Sequence, residues 1–153
     1  DPTVYAYARA AGVSIWRELR DRRRALRHLD RAALLAPPEE RARAEADAAD
    51  ARRKIAEVDR VLASAWAALA RPDGQRDARA LFEEVLRASP AHAAAHVGLA
   101  RIHRQKGNFR DALADLDAAA RALDAAAGSD PDPTLRAEIE RARAQYVKDR
   151  DDE

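Results

Sequence analysis

Apolar residues recur along this chain at intervals of three and four, the spacing that lines one face of an α-helix. No segment shows the two-residue alternation or the β-branched clusters of a strand. The pattern predicts seven helices. Residues 3–19 and 21–36 make a first pair, and Pro37-Pro38-Glu39-Glu40 then opens a third helix that meets no further Gly or Pro until Pro72. Proline fits a first helical turn, and acidic side chains there oppose the positive end of the helix dipole. A helix of that extent, about 33 residues, is roughly 50 Å long. The remaining helices, 75–88, 91–105, 108–127 and 133–149, are separated by Pro90, by Gly107-Asn108 and by the run from Gly128 to Pro133.

The last helix carries Leu135, Ile139, Ala142 and Tyr146 on one stripe and charged residues elsewhere, the two-faced pattern of a helix that caps a stack. In the third helix the second half has a stripe of Ile55, Val58, Leu62, Ala65 and Leu69. Its first half offers Ala42, Ala46, Ala49 and Ala56 among Arg, Glu and Asp. That half reads either as a solvated extension held by charge pairs three and four residues apart or as a docking seam on which a partner helix lies close.

A motif repeats. Ala78, Phe82 and Pro90 are answered 34 positions later by Ala112, Leu116 and Asp124. Upstream of them Leu62, Ala65, Trp66 and Leu69 are answered by His96, Leu99, Ala100 and His103, with turns at Pro72-Asp73-Gly74 and at Gly107. A weaker copy holds Val13, Trp16, Ala25, Leu29, Ala32 and Pro37, and the 53 residues from Ala25 to Ala78 are one period plus an insertion of 19. In period and in the order of large, small and aromatic positions the chain resembles the tetratricopeptide repeat. The resemblance implies an all-α, right-handed helical repeat stack of about seven helices with one long central helix and a C-terminal capping helix. It divides a single domain into a weak repeat 6–39, a helical insertion 40–58, repeats 59–92 and 93–126, and a capping helix 133–149. It also implies a module that binds other proteins.

Composition narrows this. Of the 47% apolar residues, 40 residues are alanine, so the helices approach closely and leave little room for an enclosed ligand cavity. No run approaches the 18 apolar residues of a membrane span. Cysteine and methionine are both absent, which removes disulfides, thiolate chemistry and Cys-ligated metals. With no Met, the chain is expected to begin downstream of its native start, after a cleaved leader or a further segment. Abundant Ala and Arg beside three Lys and one Asn suggest a GC-rich bacterial source, cytoplasmic or periplasmic.

Net charge is +1, but residues 1–37 carry +4 and residues 72–153 carry −3. The N-terminal arginines could neutralise phosphates, yet a pI near 8.4 and seven aromatics, several within the repeat motif, weigh against nucleic acid. His92, His96 and His103 fall within about 40° on a helix. Their segment lacks the Glu of a zinc-protease motif, and His96 and His103 stand at packing positions of the repeat, so metal binding is disfavoured. If buried and neutral, these histidines would loosen the last repeat on charging. No nucleophile elbow, phosphate loop or dinucleotide fingerprint is present, so neither an enzyme nor a cofactor is expected.

A groove remains. The resemblance places the first helix of each repeat on the concave face, where Tyr7, Arg17, Arg60, Val97, Arg101 and Arg104 become candidate partner-binding residues for a protein or peptide segment with acidic groups. The alternative is a structural subunit of a larger assembly, such as one at the cell envelope. It would dock, as a homo- or hetero-oligomer, through the seam Ala42, Ala46 and Ala49.

Overall fold

A computed structural model describes residues 2–17, 22–126 and 133–152. Among them are seven helices and no strand: α1 (Pro2–Arg17), α2 (Arg22–Leu35), α3 (Pro38–Leu69), α4 (Gln75–Ala88), α5 (Ala93–Gln105), α6 (Phe109–Ala126) and α7 (Pro133–Asp151). The fold is all-α and of the helical-repeat kind, as the periodicity predicts. The ends predicted for the first helix and for 108–127, at residues 18–19 and 127, lie outside the described residues. The chain divides into two compact units, residues 1–59 and 60–153, with the boundary inside α3.

In the first unit the core is built largely of alanine. Tyr5 and Ala8 of α1, Ala32 and Ala36 at the end of α2, and Ala44 of α3 form one buried cluster, and Leu29, Ala48 and Ala51 form another with Val13 and Leu26. Gly12 is what lets α1 and α2 come together, since a Cβ there would lie 2.9 Å from two side-chain carbons of Leu29. The first half of α3 is therefore not a solvated extension. It closes this core with Ala44, Ala48 and Ala51, while Ala42, Ala46 and Ala49 are exposed. Polar ties choose between the two alanine faces. The Tyr5 hydroxyl donates to Glu40 at 2.7 Å, Arg9 donates twice to one oxygen of Asp47, and Arg52 pairs with Asp30 of α2. The Glu40 hydrogen bond, with burial and the Glu40 charge, raises the Tyr5 phenol above its ordinary pKa.

In the second unit Phe82, Val85, Val97, Ile102 and Leu116 are the largest side chains closed to solvent. Burying one ring the size of Phe82 contributes about 1.5–3 kcal/mol. Trp66 stands where the repeat pattern has a small residue, and its bulk is absorbed by an edge-on contact with Phe82, ring centroids 4.9 Å apart. Gly98 makes room on the other side, because a Cβ there would sit 2.3 Å from the Phe82 ring. α5 ends at Gln105, and the chain then turns at Gly107, whose φ of 72° is open to glycine at little cost. Asn108 then starts α6, its side-chain oxygen accepting from the Asp111 amide at 3.3 Å. α7 buries Ile139 and Tyr146, with Leu135 and Ala142 partly covered, on the predicted stripe against α6 and α5. Arg136–Asp124 and Arg143–Asp117 tie it to α6.

Candidate interaction site

The N-terminal stretch of α5 has no charged residue before Arg101, and Ala93, Ala95, Val97, Gly98, Leu99 and Ala100 are all buried. Polar chemistry begins in the last two turns. There Arg101, Arg104 and Gln105, spaced three and four apart, share a face. α7 presents Glu138, Arg141, Ala142, Gln145 and Tyr146 at the same periodicity, and the two rows line an open cavity of about 570 Å³.

Its walls are held by cation–π and ionic contacts. The Arg101 guanidinium lies 5.1 Å from the Trp66 ring centre and pairs with Glu138. Arg104 lies 5.0 Å from the Tyr146 ring centre, and its Nε and a terminal nitrogen both approach one oxygen of Asp149 at 2.7 Å. The other oxygen of Asp149 accepts from the Gln145 amide at 2.6 Å. The Gln145 hydrogen bond and the Arg104 guanidinium hold the Asp149 carboxyl below the usual carboxylate range, and burial pushes the Tyr146 phenol up. Arg141 differs from its neighbours. Its Nε donates to the Ala137 carbonyl at 3.2 Å, and no carboxylate among the described residues pairs with it.

Of the groove residues expected from sequence, the structure brings together Arg101 and Arg104. Val97 does not belong with them. It is 1% exposed and lies in the core, because α5 is covered on several sides rather than along one stripe. Arg60 is exposed on α3. Tyr7 is 73% exposed on α1, in the first unit. The Arg17 side chain lies outside the described residues. Arg141 and Gln145 were not among the expected residues. The sequence signal for them is the three- and four-residue register with Glu138 and Ala142 on α7.

The histidines serve a carboxylate. His103 Nδ1 donates to Asp115 at 2.8 Å, and His96 Nδ1 lies 3.6 Å from the other oxygen of Asp115 while its Nε2 donates to the Pro90 carbonyl at 3.2 Å. Both rings thus meet one carboxylate of α6, Asp115, at these packing positions. No group of three or more His, Asp or Glu with metal-holding geometry occurs among the described residues, and no helix there is long and apolar enough to cross a membrane.

Antiparallel helix pairs whose small residues admit the aromatic and aliphatic side chains of the next helix define a helical-repeat protein. Residues 76–146, from the first turn of α4 to Tyr146 of α7, match the family model described as Tetratricopeptide repeat. The match takes in α7 as well as the hairpin of α5 and α6. No curated protein and no solved structure matches the chain. Tetratricopeptide repeats generally mediate protein–protein interaction and are typically non-catalytic.

Proposed function

We propose that this protein is a non-catalytic interaction module, a scaffold or adaptor, whose α5–α7 cavity takes an acidic segment of a partner protein. The observation that carries this reading is the composition of the cavity wall. Three guanidiniums, Arg101, Arg104 and Arg141, and the amides of Gln105 and Gln145 face one lining carboxylate, Glu138. Arg101 and Arg104 are already oriented by their pairs with Glu138 and Asp149 and by their aromatic platforms, so they shape the wall and leave the uncompensated positive charge on Arg141. Arg141, free of any carboxylate partner among the described residues, is the anchor able to grip an incoming carboxylate with two parallel hydrogen bonds. The repeats 59–92 and 93–126 with the helix 133–149 supply the frame, and the weak repeat 6–39 and insertion 40–58 extend the chain beyond the site.

Fluorescence anisotropy with a labelled Glu-rich decapeptide tests this. Arg141→Glu should weaken binding by about tenfold or more, the scale of one charge-assisted contact. Arg76→Glu, an exposed α4 position outside the cavity, should leave binding unchanged. Equal losses from both variants, or none from either, would reject the cavity as the site.

A second reading is supported by the exposure of Ala42, Ala46 and Ala49 on α3, which leaves a small-residue face open to another helix. It makes the protein an assembly subunit. Replacing Ala46 and Ala49 with Arg should then abolish assembly while leaving the peptide affinity intact.

A further inference from the structure

The face of α2 turned away from its core carries Arg23, Arg27 and Arg31 at four-residue intervals, followed by Leu34. The buried residues of this helix, Ala25, Leu29 and Ala32, mark its opposite side. All three arginines are exposed, and none has a carboxylate partner among the described residues. The acid nearest in sequence, Asp30, is engaged by Arg52 of α3. The contrast with α1 and α3 of the same unit is direct, since Arg9 and Arg52 each close an ion pair. Successive guanidiniums are rooted about 6 Å apart along the helix axis, four residues at 1.5 Å each. The row ends on an apolar side chain, Leu34, which is 84% exposed, with Leu35 beside it at 37%.

We infer that this face is a second docking surface, separate from the α5–α7 cavity, and that its partner is an acidic amphipathic helix. Carboxylates at four-residue intervals on such a helix would meet the three guanidiniums, and an apolar residue one turn further on would cover Leu34. Charge complementarity sets the sign of the partner, and the rise of about 6 Å between guanidiniums matches carboxylates four residues apart on a second helix. The leucine separates this partner from the other polyanions. Phosphate backbones make no use of an exposed leucine, and the face offers no aromatic ring on which a base could stack. A lipid surface calls for an apolar stripe along the helix, whereas here the apolar exposure is confined to its last turn.

Titration of the full chain with a labelled helical peptide tests the inference. The peptide carries Glu at three positions four residues apart and Leu three residues beyond the last Glu. A control peptide has the same composition in scrambled order. The expected result is at least about tenfold weaker binding of the scrambled peptide and a comparable loss for the Arg27→Glu, Arg31→Glu variant. Leu34→Ser should cost about threefold at either low or physiological salt, since the contact it removes is not ionic. Arg27→Gln, Arg31→Gln, which introduces no new repulsion, guards against an effect on folding. It should bind weakly while keeping the native melting temperature. Arg76→Glu, an exposed α4 position outside both surfaces, should bind the helical peptide as the native chain does. Equal affinity for the two peptides overturns the inference, as does tighter binding of duplex DNA or of vesicles rich in phosphatidylserine than of the helical peptide.

Discussion

The guanidinium of Arg104 on α5 lies 5.0 Å from the centre of the Tyr146 ring on α7 and is held there by Asp149. One side chain thus joins the two walls of the cavity through a ring face and a carboxylate at once. A double-mutant cycle of Arg104→Gln and Tyr146→Leu, followed by urea denaturation, should give a coupling energy of about 0.5–1 kcal/mol, the range of a cation–π contact near the surface. A coupling near zero would mean that the ring and the guanidinium act independently.

The hold of Asp149 on that guanidinium is pH-dependent. Its folded-state pKa is lowered, first by the Gln145 hydrogen bond and then by Arg104. Its contribution is therefore full above the unfolded-state value of about 4 and is lost as pH falls through the lower folded-state value. Asp149→Asn should melt below the native chain at pH 7, and the gap should close as the pH is taken down toward 2. A gap that stays constant with pH would assign the loss to packing instead of charge.

Gly98 is expected to be the least replaceable position of α5. A methyl group there meets the ring of Phe82, which is fully buried and packed edge-on against Trp66. Gly98→Ala should destabilise the second unit by about 1–3 kcal/mol, the usual cost of overpacking, with a matching fall in melting temperature. The comparison is Gly107→Ala, where the φ of 72° costs about 1 kcal/mol without any clash in the core.

The α5 hairpin has its own electrostatic latch. Asp115 of α6 accepts from His103 and lies beside His96, both on α5. Asp115→Asn keeps the shape but removes the charge. The variant should unfold at lower urea than the native chain, whereas Asp111→Asn, whose side chain is engaged at the start of its own helix, should change stability less.

Much of this was legible in the residues themselves. The stripe of Leu135, Ile139, Ala142 and Tyr146 placed α7, and Gly107-Asn108 fixed the turn between α5 and α6, because a wide apolar stripe and a left-handed glycine each have few alternatives. The buried face of the first half of α3 was not legible. Ala42, Ala46 and Ala49 and Ala44, Ala48 and Ala51 are two registers of the same small residue, and burying either gains nearly the same free energy. Only the long-range ties from Tyr5 and Arg9 to Glu40 and Asp47 separate them. Val97 misled for a related reason. The motif assigns a groove face to its helix, but the chain from Ala91 to Ala100 has no charged side chain with which to make one. The place of Arg141 in the cavity wall is not legible in the sequence, because it depends on where α7 packs, which no local pattern encodes.

The most direct measurement is an NMR titration of the native chain with the Glu-rich decapeptide, following the arginine Nε–Hε and glutamine side-chain amide resonances. The cavity reading predicts that Arg101, Arg104, Arg141, Gln105 and Gln145 shift together and saturate with one dissociation constant. Shifts confined to other residues, with these five unmoved while the peptide is bound, would contradict it.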